Sequence, residues 1–83
     1  MARLLFFGKL VDVAGARTRN WPLGDAEITV NDLVTLIAGD DATLGGALSD
    51  QSVRFIVNEM MAAGETSISD EDEIAFLPPV SGG

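Results

Sequence analysis

The chain of 83 residues has no cysteine and no histidine. Without cysteine there is no disulfide framework, and no thiol can act as a nucleophile or carry sulfur. Without histidine the commonest general base and metal ligand is missing. Serine and threonine are scattered, and no nucleophile–base pair is visible among them. Such a chain is not expected to be an enzyme by itself. Positive charge is also scarce: five Lys and Arg stand against thirteen Asp and Glu, a formal net charge of −8. That surface repels nucleic acid and anionic membranes, so neither is expected as a partner. It favours encounter with a basic protein. No apolar run approaches a membrane span, and no basic segment leading into an apolar one follows Met1, so the expected location is cytoplasmic. The acidic run Asp70-Glu71-Asp72-Glu73 lacks the spacing and the glycine of a calcium loop, so it reads as a solvated turn and no metal is expected. Gly45-Gly46 is followed by no Lys-Ser/Thr, so it is not a phosphate loop and reads as structural.

What remains is enough for one small domain, near the lower size limit for an independent core. The 47% apolar content is that of a compact globule. Arg3 to Phe7 reads as a buried strand. Gly8 lets the chain turn away, and Lys9 to Ala14 form a short helical stretch ended by Gly15. Arg17 to Leu23 reads as an edge strand, because Trp21-Pro22 would not suit a sheet centre. Trp21 is expected in the core or at its rim. Gly24 to Glu27 is a loop. Thr29 is an N-cap, and Asp32 completes an Asp version of the capping box. Val30, Leu33, Val34 and Ile37 then share one helix face, and Gly39 is the expected stop. Asp40-Asp41 reads as a helix exit. Leu44, Ala47 and Leu48 mark a second short helix between Asp40 and Gln51, weakened by Gly45-Gly46. Val53 to Asn58 is a strand that turns at Asn58-Glu59 into Met60 to Ala63. Gly64 to Asp72 is a polar connection whose lone Ile68 should plug the core. Glu73 to Leu77 is the last strand, ended by prolines. Periodicity alone gives an α+β class. Phe6 and Phe7 must point to opposite faces of their strand, so one of them is expected on an exposed apolar patch of the kind that marks partner sites. Met60-Met61 would add adaptable contact surface.

The final segment, Phe76-Leu77-Pro78-Pro79-Val80-Ser81-Gly82-Gly83, is the most informative. Two terminal glycines arise by chance in roughly 0.5% of chains at average glycine usage. Glycine has no Cβ, so Gly82 and Gly83 suit a channel too narrow for other residues. The terminal carboxylate is then the group that a foreign active site can reach. Pro78 and Pro79 hold the preceding chain extended. The reading is a domain over residues 1–77 and an arm over 78–83, reaching about 20 Å. A frayed terminus is the plain alternative, but such a tail would more naturally be polar. A proline-ligand segment is disfavoured, because Pro78-Pro79-Val80-Ser81 is not PxxP.

The run Asp72 to Gly83 resembles the C-terminus of the small subunit of molybdopterin synthase (the MoaD family), which are ubiquitin-like sulfur carriers. Leu4-Leu5-Phe6-Phe7-Gly8, with the short helical stretch ending at Gly15, is similar to that family's opening. Phe55-Ile56-Val57-Asn58 resembles its central strand, so the likeness spans essentially the whole chain. The resemblance implies a β-grasp fold, a mixed sheet packed on one main helix with the first and last strands as central parallel neighbours. It implies that an E1-like enzyme uses ATP to adenylate the Gly83 carboxylate. A sulfur donor protein then makes the thiocarboxylate, and no cofactor is bound by the chain itself. The charged arm would insert into a large subunit and pass sulfur to cyclic pyranopterin monophosphate, forming the dithiolene of molybdopterin within a heterotetramer. Gly83 would carry the sulfur and Gly82 give clearance. Pro78, Pro79, Val80 and Ser81 would set reach, while Phe7, Phe76 and Leu77 meet the partner or anchor the base of the arm. Carriers for thiazole synthesis, cysteine synthesis and tRNA thiolation, and ubiquitin-like protein modifiers, are the alternatives. One departure is Glu71, where the family usually has a glycine. It is expected to alter a turn with positive φ.

Overall fold

A computed structural model describes residues 1–79. Alternation in the first strand sets the architecture. In β1 (Ala2–Phe6), Ala2, Leu4 and Phe6 are buried while Arg3 faces out. The last strand, β7 (Glu73–Leu77), lies parallel to it, with Leu4 opposite Ile74 and Phe6 opposite Phe76. Parallel neighbours need a long crossover, and the rest of the chain supplies it. β2 (Thr18–Trp21) pairs outside β1, and β4 (Arg54–Val57) pairs on the other side of β7, with β5 (Met60–Ala62) at the far edge. The order is β2-β1-β7-β4-β5, so β7 is the central strand. β2 stops at Trp21, before Pro22, which has no N–H to give a ladder.

Three helices cover one face of the sheet. α1 (Leu10–Ala14) contributes Leu10, α2 (Val30–Asp40) contributes Val30, Leu33, Val34 and Ile37, and α3 (Ala42–Leu48) contributes Leu44 and Leu48. All join Leu4, Phe6, Ile74 and Phe76 in one core. Each such side chain gains about 1.5–3 kcal/mol by full burial. Ile68 plugs that core, and Trp21 packs at its rim. The capping box is complete: Asp32 N–H donates to Thr29 Oγ1 and Thr29 N–H donates to Asp32 Oδ2, both at 3.1 Å. This mixed sheet on one main helix is the β-grasp arrangement.

Four local expectations are corrected. Gly39 does not stop α2, which runs on to Asp40. Asp41 is more than an exit: its backbone ends α2 while its carboxylate accepts from Leu44 N–H at 3.0 Å and starts α3. Residues 64–72 contain a short strand, β6 (Ser67–Ile68), paired with β3 (Ile28–Thr29) in a separate two-stranded sheet. Glu71 does not take a positive φ; among the described non-glycine residues only Asn58 and Glu59 do. Gly45 is indeed structural, because a Cβ there would run into Ala38 of α2. The residue that weakens α3 by propensity is the one that lets the two helices close.

Candidate functional site

The segment expected to serve as the arm follows the central strand. Phe76, near the end of β7, has no exposed surface and stacks on Phe6 at 5.6 Å between ring centroids. Phe55 meets it edge-on at 5.8 Å. Such pairs add about 0.5–1.5 kcal/mol beyond their buried area. Phe76 therefore cannot touch a partner. Of the two roles expected of Phe76, partner contact or anchor, burial corrects the first and favours the second, since the ring lies inside the core. Leu77, Pro78 and Pro79 are half-buried. Val80, Ser81, Gly82 and Gly83, the remaining expected site residues, lie outside the described residues.

Phe7 follows β1 at the same end of the sheet, because β1 and β7 run parallel. It is 45% exposed. Of the two adjacent phenylalanines, Phe6 is thus the core residue and Phe7 the surface one. Phe7 belongs to the sheet face that the helices leave open. On that face Leu5, Ala75, Ile56 and Met61 form one row across four strands, by the registers Leu5↔Ala75, Ile56↔Ala75 and Ile56↔Met61. Met61 is 70% exposed; Met60, 73% exposed, lies opposite Val57 and so belongs to the other face. An apolar row of this kind, crossing the strand that precedes Pro78 at Ala75, has the composition of a protein-contact surface. The sequence singled out Phe7 and the methionines but missed Leu5 and Ile56. Their signal was the alternation Arg3, Leu5, Phe7 along β1, which marks a second face.

Charge is distributed unevenly about the arm. Lys9, Arg17 and Arg54, three of the five basic residues, line clefts that reach Phe7, Pro78 or Pro79. Asp25, Glu27, Asp70 and Glu71 line a cleft elsewhere, beside the residues that lead into β7. There Asp70 accepts from Leu23 N–H and from the Met1 ammonium group, each at 2.9 Å. These contacts, the Leu23 bond foremost, hold its carboxyl below the usual carboxylate range. Asp72 accepts from the Asn58 side-chain amide at 2.8 Å and from Ser69 N–H at 2.7 Å, and is held low for the same reason. The acidic run is therefore a hydrogen-bonded brace and not merely a solvated turn.

Ubiquitin-like β-grasp proteins share this architecture. The crystal structure of SAMP1 from Haloferax volcanii superposes on the chain with a TM-score of 0.80 at 30% identity, covering 99% of this chain and 98% of that one. Within that class the chain belongs to the ThiS family, whose model matches residues 4–83. It is 32% identical to the molybdopterin synthase sulfur carrier subunit of Chlamydomonas reinhardtii, over 98% of this chain and 96% of that protein. It is 30% identical to the subunit of the same name from Escherichia coli (strain K12), over the whole of both chains. Among the described residues no helix is long and apolar enough to cross a membrane.

Proposed function

We propose that this chain is a sulfur carrier that serves as the small subunit of a molybdopterin synthase in the cytoplasm. The observation that carries this reading is the end-to-end likeness to the E. coli sulfur carrier subunit, which leaves no part of either chain unmatched. The geometry supports it. The arm follows directly from the central strand, and an open apolar face beside it suits a large subunit. In this reading an E1-like enzyme joins the Gly83 carboxylate to the AMP moiety of ATP and releases pyrophosphate. A free carboxylate is a poor acceptor; the acyl-adenylate carries a good leaving group. Sulfide supplied by a donor protein attacks the acyl carbon, the bond to the AMP phosphate oxygen breaks, and a thiocarboxylate is left. That group is nucleophilic near neutral pH without a histidine to activate it. Inside the large subunit its sulfur attacks a carbon of cyclic pyranopterin monophosphate, the oxygen held by that carbon leaves as water or as phosphate oxygen, and water then cleaves the acyl–sulfur bond. Gly83 returns as a carboxylate, and two such transfers make one dithiolene. The acid–base groups absent from this chain come from the large subunit.

The test is the intact mass of the chain after incubation with ATP, sulfide and an E1-like activator, followed by addition of the large subunit and cyclic pyranopterin monophosphate. An oxygen-to-sulfur change confined to the C-terminal peptide, reversed as molybdopterin appears, is expected. A change that persists keeps the carrier role and moves the acceptor to another pathway. No change with a competent activator overturns the reading. The similarity to SAMP1, a small archaeal modifier protein, supports a second reading, in which Gly83 forms isopeptide bonds with target lysines. Stable covalent adducts in cell lysate would favour it; a carrier gives mostly free protein with a modified end.

A further inference from the structure

Three described glycines have left-handed backbone: Gly8 at φ 55°, Gly15 at φ 78° and Gly24 at φ 60°. They differ in what surrounds them. A Cβ at Gly15 or Gly24 would meet nothing within 4 Å, whereas a Cβ at Gly8 would lie 2.8 Å from Pro78 Cγ. Gly8 is therefore held to glycine twice, by its own backbone and by the first residue of the arm. Pro79, the next residue, lines a cleft with Leu10, Val13 and Val53 of the body. The arm is not free from Leu77 onward.

We infer that Gly8 is a positioning residue for the sulfur-carrying arm: its bare backbone is the seat on which Pro78 rests, and the seat fixes where the arm leaves the body. Pro78 and Pro79 then belong to the body, so the expected six-residue arm shortens to residues 80–83, whose fully extended length is about 14 Å. A terminus that must enter a narrow foreign channel gains from a fixed origin, because a displacement of about 1 Å at the reacting group costs about a hundredfold in rate. This inference rests on the carrier reading for its consequence, but not for its geometry.

The matched glycines supply the controls. Gly24→Ala strains the backbone alone. Gly8→Ala strains it equally and also pushes Pro78 away. ATP–pyrophosphate exchange by an E1-like enzyme, with the carrier as varied substrate, reads the position of the terminus. For Gly8→Ala, kcat for exchange is expected to fall about a hundredfold with KM unchanged, while Gly24→Ala matches the wild type. Pro78→Ala takes the ring off the seat and is expected to lower the rate by itself, and adding Gly8→Ala to it should cost little more, the non-additivity of two changes that break one contact. If Gly8→Ala does not fold, Gly8→Asn carries the same Cβ on a residue that tolerates the left-handed region, with Gly24→Asn as its control. A double-mutant cycle between Gly8→Ala and Pro78→Ala in chemical denaturation needs no activity. Equal effects at Gly8 and Gly24, or no coupling between Gly8 and Pro78, overturn the seat. Failure of the wild type to support exchange, with coupling intact, overturns the carrier reading and leaves the seat standing.

Discussion

The two ends of β7 are held by different physics. At its start the fastening is polar: Asn58 donates to Asp72, accepts from Glu73 N–H at 2.9 Å, and its own N–H donates to the Glu73 carbonyl at 2.9 Å. Asp72 in turn accepts from Ser69, and Asp70 ties down Met1 and Leu23. At its end the fastening is apolar: Phe76 lies between Phe6 and Phe55, and Pro78 rests against Gly8. Hydrogen bonds are directional, so the polar end fixes register and where the strand begins. Contacts without polar partners leave no donor or acceptor unpaired when the following chain enters another protein. In the proposed carrier role, a strand that delivers its own continuation to a partner is best pinned behind and merely supported in front.

The largest effect lies beyond the apolar end. Deleting Gly83 is expected to abolish sulfur loading, with the unfolding midpoint unchanged, as read by intact mass and denaturation. Gly82→Val should allow folding but block entry of the tip into the partner's channel, because it adds a branched side chain where glycine has none. Normal turnover by either variant would sink the arm mechanism. Next in size is Phe76→Ala, which removes the ring shared by Phe6 and Phe55. It should cost about 3–5 kcal/mol in urea denaturation. Domains hold only roughly 0.05–0.15 kcal/mol per residue, so that loss is a large share of the total. A cost below about 1 kcal/mol would mean the ring is not the anchor inferred here. At the polar end, Asn58→Ala takes away both side-chain bonds and places alanine at φ 50°. The expected cost is about 1–3 kcal/mol, smaller than for Phe76 because the lost partners reach water. If the order of the two costs were reversed, the polar brace would be the main support of the strand.

The apolar end was the more legible in the sequence. Period-2 and period-3.6 patterns report burial directly, so β7, the Thr29 cap, the α2 face and the Ile68 plug could be read from residue type and spacing. Apart from the local Ser69–Asp72 bond, the polar end is made of contacts between residues 14 to 69 positions apart, and no local pattern announces those. The same limit explains the pairing of β3 with β6, two residues each, too short to show alternation. It also explains Gly45 and Gly8, whose meaning lies in what approaches them from elsewhere in the chain. For Phe76 the sequence leaves two readings, a partner contact or an anchor, because an aromatic beside a terminal tail looks alike in sequence whether it faces in or out. Its register with Phe6 decides the matter. Gly39 misled for a related reason: glycine often stops a helix, but here the stop is made by Asp41 starting the next one.

The smallest expected effect separates the two ends by pH. Asp70 and Asp72 are both held below the usual carboxylate range by their donors. A carboxyl whose folded value lies below its unfolded one, about 3.9, stabilises the fold fully above the unfolded value. That contribution is lost as pH falls through the folded value. The net charge of −8 works the other way, because acidification relieves repulsion, so wild-type stability alone does not isolate the brace. The difference between wild type and Asp72→Asn does. It should be widest at neutral pH and close progressively below about pH 3.9 as Asp72 takes up its proton. Pro78→Ala, at the other end, removes only apolar contact, so its difference from wild type should keep one value across the same range. Two parallel pH profiles would show that the ends of β7 are not held by separate physics, since a perturbation of the seat would then reach the Asp72 carboxylate through the length of the strand.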